Sequence, residues 1–216
     1  MTKIITTLDT LKAVNRFSST EELRHYLKGV YVEKERFTAT DGHRLLTVKP
    51  KDGFYLADGE FESFIMPKET ISALREKTKR LQISLVAIDT VALTISTYTD
   101  CLKLKEDGFT TIFYRIKEEG TTLHYKPIDG TFPEYQRVVL AAINYDDPAP
   151  SCFNPAYLGD FDFVHKIGIF PNNHPTAPMI IRVDHDHFDG LGVVMPMRGM
   201  IKDEGFEIVP SWFRKE

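Results

Sequence analysis

A helix-period segment followed by several strand-period runs, and then the same succession again, is the feature that most restricts how this chain can fold. Thr7 is placed to cap a helix whose apolar positions Leu8, Leu11, Val14 and Phe17 recur at helical spacing. Asp9 sits near the positive end of its dipole, and the helix is expected to end near Ser18. From Tyr26 the pattern turns to short runs rich in Val, Tyr, Thr and Phe, at 26 to 33, 36 to 40 and 43 to 49, divided by charged or glycine turns. A second round opens with a run from Phe61 to Met66, a proline suited to a first helical turn at Pro67, and then Ile71, Leu74 and Leu81. The spacing predicts a helix over 67 to 79 and strands at 81 to 88, 91 to 97, 101 to 105, 109 to 117 and 121 to 127. Helices interspersed with antiparallel meanders make an α+β protein of repeated units.

The stretch Asp146-Asp147-Pro148-Ala149-Pro150 can continue neither a strand nor a helix and marks a boundary. Beyond it a helix is expected near 155 to 166, strands near 178 to 187 and 190 to 196, and a tail from 200. One such unit is marginal as an independent domain, so it is expected to pack on the first portion or on another subunit. Charge divides along the same line. Residues 1 to 139 carry 21 basic and 20 acidic side chains, a net of +1, whereas residues 140 to 189 carry 2 and 7, a net of −5. With an overall net charge of −4 the chain is not built for tight grip on phosphates, so any contact with DNA should be weak. No apolar run is long enough for a membrane span or a signal peptide, and a cytoplasmic protein is expected. The two cysteines, Cys101 and Cys152, are too far apart in sequence for a zinc motif, and no cofactor is implied.

No nucleophile elbow, phosphate loop, dinucleotide fingerprint or His-Glu-x-x-His pair is present. Asp184-His185-Asp186-His187, with Asp189 nearby, is the one candidate for a metal-dependent enzyme, because on a strand the two imidazoles would share a face. The alternative is an exposed strand end leading into a turn at Asp189-Gly190. His43 beside Asp41 is a second candidate base, with a structural or binding role as its alternative; strand alternation would put Asp41 and His43 on one face and Arg44 on the other, and a turn at Asp41-Gly42 works against even that pairing.

Three segments combine rigid turns, apolar side chains and a terminal arginine: Thr40 to Leu45, Asp129 to Val138, and Val193 to Arg198. If they converge they form an apolar cleft walled by Met195 and Met197 and rimmed by Arg44, Arg137 and Arg198, suited to a short peptide bearing Leu or Phe. Core methionines and surface arginines are the alternative.

In this order the three segments, together with Phe153-Asn154-Pro155-Ala156-Tyr157-Leu158, resemble the bacterial DNA polymerase III beta subunit family, the replicative sliding clamps. The resemblance implies a DNA clamp-like fold, with residues 1 to 139 similar to a whole middle domain, 140 to 199 to the end of a last domain, and 200 to 216 a C-terminal tail outside the family pattern. It implies a non-catalytic processivity factor whose cleft receives short motifs of DNA polymerase, the clamp loader and repair proteins. That cleft would comprise Leu27, Thr40, Gly42, His43, Arg44 and Leu45, then Pro133, Arg137 and Val138, then Asn154 and Tyr157, and finally Val193, Val194, Met195, Pro196, Met197 and Arg198. It further implies a homo-oligomeric ring around double-stranded DNA, with Lys68, Arg75, Lys77, Lys79 and Arg80 of the second helix facing the duplex. The rival reading is a reduced relative that keeps the cleft, closes no ring and serves as an adaptor or decoy. Within the tail, Ile208-Val209-Pro210-Ser211-Trp212-Phe213 has the apolar, aromatic character such a cleft accepts; a packed or frayed terminus is the alternative.

Overall fold

A computed structural model describes residues 3–75, 83–100, 116–143 and 151–197. Strand β1 (Lys3–Thr7) runs directly into helix α1 (Leu8–Asn15), where the Thr7 hydroxyl accepts a hydrogen bond from the Thr10 amide at 3.2 Å. Leu8, Leu11 and Val14 are fully buried. After a 3-10 turn over Glu22–Leu27 come β2 (Gly29–Val32), β3 (Phe37–Thr40), β4 (Arg44–Pro50) and β5 (Tyr55–Asp58). The second round is β6 (Phe64–Pro67), α2 (Lys68–Ala73), β7 (Ile83–Asp89), β8 (Thr94–Asp100) and β9 (Ile116–His124). Helix α3 (Tyr135–Ala142) and the short α4 (Pro155–Gly159) precede β10 (Ile167–Phe170), β11 (Met179–Asp184) and β12 (Phe188–Val194).

The strands form two antiparallel sheets, of order β5-β1-β7-β8-β9 and β10-β11-β12-β4-β3-β2-β6. The two rounds exchange their first strands. β1 pairs with β7 of the second round, and β6 pairs with β2 of the first. Helices α1 and α2 lie side by side, tied by the Asn15 side-chain amide, which donates to the Lys68 carbonyl at 3.2 Å and to the Ser72 hydroxyl at 3.1 Å. The β10–β11–β12 meander extends the larger sheet by pairing β12 with β4, from Phe188 opposite Pro50 to Val194 opposite Arg44. Its inward side chains Met179, Ile181, Val183, Phe188 and Val194 join one core with Leu11, Phe17, Phe37 and Leu46 of the first portion.

Several elements differ from the sequence expectations. The second helix stops at Ala73 because Leu74 turns extended and buries itself in the core, and the part of the expected helix beyond Arg75 lies outside the described residues. The helix expected over 155 to 166 is a single turn, started by the Asn154 side chain accepting from the Ala156 amide and ended where Phe161 swings into the core. β1, β5, β10 and α3 were not anticipated. The expected strand at 101 to 105, and most of that at 109 to 117, lie outside the described residues.

Candidate peptide cleft

Alternation along β4 and β12 gives the larger sheet two apolar faces. Leu46 and Val48 point into the main core, while Leu45 points outward, where with Leu27, Ile65, Phe132, Tyr135, Ala142, Ile180 and Val193 it forms a second cluster. The outer cluster is covered by residues 128 to 143. Their first turn is fixed by the Ile128 amide on the Ile65 carbonyl at 2.9 Å and by a His25 Nε2 to Asp129 carbonyl contact at 3.0 Å. Phe132 then stacks on Tyr31, ring centres 4.7 Å apart, and the Tyr135 hydroxyl donates to Glu33 at 2.5 Å. Burial, with that carboxylate nearby, pushes the Tyr135 phenol up. At the far end the buried Asn172 amide donates to the carbonyls of Ala141 and Ala142, occupying acceptors left over at the end of α3.

The β3–β4 turn supplies the opposite wall. Gly42 has φ +91°, which an L side chain rarely adopts, and the Arg24 guanidinium lies over it. Asp41 accepts from the amides of His43 and Arg44 at 2.9 and 3.0 Å, and Thr40 donates to the Arg44 carbonyl at 2.8 Å. Strand pairing continues past Val194, with the Met195 amide donating to the His43 carbonyl at 2.8 Å, so 40 to 45 and 193 to 195 are neighbours by register.

Between these walls lies an open cleft of about 310 Å³. Of the residues expected there, Leu27, Thr40, Gly42, His43, Arg44, Leu45, Pro133, Val138, Val193 and Met195 line it. Sequence reading missed Arg24, Tyr26, Glu134 and Tyr135, which also line it. Arg24 and Tyr26 belong to a 3-10 turn with no sequence signal of its own; Glu134 and Tyr135 lay inside a segment already singled out. The floor is aliphatic and aromatic, and Arg24 and His43 stand at its rim, so the cleft suits an apolar segment with acidic flanks.

Other expected members are placed elsewhere. Val194 is fully buried in the main core, one residue out of step with Val193. Arg137 is exposed and ion-paired with Glu134 at 2.6 Å. Asn154 caps α4, while Tyr157 stands beside the His43 ring at 6.0 Å between centres. Pro196 and Met197 are not among the lining residues, and Arg198 lies outside the described residues. The Arg44 guanidinium is largely consumed by structure: its Nε donates to Asp41 at 3.0 Å, it is ion-paired with Asp160, and it lies over the rings of Phe17 and Tyr157. Asp41 and Arg44, expected to face apart by strand alternation, meet because the turn expected at Asp41-Gly42 is present and alternation does not hold within it.

A second groove of about 540 Å³ lies on the other side of α3, but its cations Arg36, Lys49 and Arg182 are each paired with a carboxylate. Asp184 to Asp189 do not assemble metal ligands. His185 and His187 sit in the turn between β11 and β12 rather than on a strand; Asp184 pairs with Lys51 at 2.7 Å and Asp189 with Arg182 at 3.1 Å. Among the described residues no three His, Cys, Asp or Glu side chains come together as a metal site. His187 lies 3.3 Å from Asp9 and holds that carboxyl below the usual range. Of the basic residues expected on the second helix, Lys68 donates to the Ser18 carbonyl at 2.9 Å and burial pushes its pKa down. Arg75 is exposed just past the helix end, and Lys77, Lys79 and Arg80 lie outside the described residues. No described helix is long and apolar enough to cross a membrane.

Two sheets, paired inner helices and a cleft where an added meander meets the first repeat define a DNA clamp-like fold. Over 91% of its length the chain superimposes on the DNA polymerase III beta-subunit clamp of Bartonella birtlesii bound to griselimycin, with TM-score 0.57 and 21% identity, covering 66% of that chain. It likewise covers 65% of the Helicobacter pylori beta clamp bound to a DNA ligase peptide, with TM-score 0.55 and 13% identity over 91% of its own length. In sequence it is 34% identical over 131 residues to the beta sliding clamp of Caulobacter vibrioides, spanning 56% of this chain and 29% of that protein. No family profile matches the chain. Its fold is that of the beta clamps, and the chain spans less than a third of that curated relative and about two thirds of the solved clamps.

Proposed function

We propose that this chain is a non-catalytic docking protein of DNA replication or repair, receiving short apolar segments of polymerases, loaders and repair proteins in the cleft between residues 40–45, 133–138 and 193–195. The convergence of these three segments around one apolar cleft carries the reading. A DNA ligase peptide bound to the Helicobacter pylori clamp supplies the chemistry of a suitable probe. A fluorescein-labelled synthetic copy of that peptide should bind the intact chain, and Met195→Asp should weaken it at least about tenfold by placing a desolvated charge against the ligand. Equal affinity in both chains would end the proposal.

Residues 1 to 139 then correspond to a complete clamp-type domain, supported by the exchanged first strands, and 140 to 199 to part of a second one. Closure into a ring around duplex DNA is the fuller form of this function. The adaptor form draws support from the inner helices: Lys68 is engaged with Ser18, and Arg16 is ion-paired with Asp162. Mass in solution and retention on nicked circular DNA separate the two. A closed oligomer that stays on circles and slips off linear DNA supports the ring, and a monomer that does neither supports the adaptor.

A further inference from the structure

We infer that the cleft is regulated from within: the segment Ile208 to Phe213 of the chain's own tail is its resident occupant, which a partner peptide must displace. This rests on the cleft being a peptide site. The main chain leaves the described residues at Met197, two positions after Met195 in the cleft wall, and the Met197 amide is held by the Cys152 carbonyl at 2.8 Å. The ten residues 198 to 207 can span at most about 33 Å, ample to turn back into a site that begins beside their origin.

Composition of the two partners matches. The cleft offers Leu27, Leu45, Val138, Val193 and Met195, and the tail offers Ile208, Val209, Pro210, Trp212 and Phe213. At about 310 Å³ the cleft is of the size that takes one or two such side chains rather than a folded element. Charge agrees as well. Asp203, Glu204 and Glu207 against Lys202 leave residues 199 to 207 net −2, while Arg24 at the rim has no carboxylate partner among the described residues. A short tether raises the local concentration of the tail to the millimolar range, so a segment of weak intrinsic affinity still competes.

Trp212 is the only tryptophan in the chain, so its emission reports the tail directly. In the intact chain the emission should be blue-shifted at every dilution. It should move to that of a water-exposed indole when the ligase peptide is added to saturation, or when the cleft is altered by Met195→Asp. Val138→Asp, at an exposed helical position, gives a second cleft variant that does not disturb the core. Trp212→Ala with Phe213→Ala should strengthen binding of the labelled ligase peptide about tenfold. Equal affinity for that peptide with and without the double substitution, with emission indifferent to peptide, overturns the inference and leaves the partner reading standing. A blue shift that fades on dilution also overturns it, by assigning the tail to a second copy. Should the ligase peptide bind neither chain while a synthetic peptide of residues 206 to 216 binds the double variant, the partner reading falls and the tail remains the occupant.

Discussion

The two faces of the seven-stranded sheet are made from the same strands and do opposite work. The inner face is closed: Phe17, Phe37, Leu46 and Phe188 are fully buried beneath α1 and the 155–165 segment. The outer face is only partly covered, by one eight-residue helix on which Val138 is 39% and Leu140 68% exposed. Strand parity decides which face a residue joins, so neighbouring positions are assigned to the closed core or to the open cleft by a single step in register. The cleft exists because the outer layer ends short of the β3–β4 turn.

The sharpest way to break this contrast is a pair of adjacent substitutions. Leu46→Ala should cost about 3 kcal/mol through the cavity it leaves, lowering the melting temperature by about 10 °C with little change in peptide affinity per folded molecule. Leu45→Ala opens onto the cleft and should cost about half as much stability while losing most of the peptide binding. Calorimetry and fluorescence polarisation on both variants check this, and equal losses of affinity would erase the distinction. Gly192→Ala comes next. A Cβ there would meet the Phe161 ring at 2.5 Å on the inner face, so about 2 kcal/mol of overpacking is expected in thermal unfolding, with the cleft unaffected.

Asp160→Asn probes the joint between the faces, because Asp160 holds the Arg44 guanidinium that backs the His43 turn. About 1.5 kcal/mol is expected by denaturant titration, between the values of exposed and buried pairs, together with a modest loss of peptide affinity. The smallest effect is alkaline. Burial raises the phenols of Tyr55 and Tyr125, both packed against the inner core, to about 12. A raised phenol keeps its proton in the folded state while the unfolded chain loses it near 10, so this contribution is complete below pH 10 and is lost as pH rises to 12. Allowing for their partial exposure, about 1 kcal/mol each should disappear across that window, and Tyr→Phe at either position should flatten the decline.

Much of this was legible from residue order. Capping by Thr7, the alternating runs of β2 to β4 and the three segments around the cleft rest on local chemistry: a side chain reaching an amide three residues on, or a period of two. What was not legible depends on partners distant in sequence. Helix α3 has no capping side chain and is held by Glu33 and Asn172. α2 is cut short because the core draws in Leu74. Arg44, expected at the cleft rim, is engaged by Asp160, which the α4 turn brings to it from far along the chain. Val194 was misassigned by a single step of strand parity, which a run of two valines cannot reveal.

The traded first strands carry a consequence for how the chain comes together. The first round alone would be born incomplete, holding β1 paired only with β5 and a β2–β3–β4 sheet lacking β6 beside it. Two identical lone rounds could heal each other by handing over those strands. Fused in tandem, the halves complete each other: β1 waits, unpaired on one side, until the ribosome has delivered β7, and β2 likewise until β6.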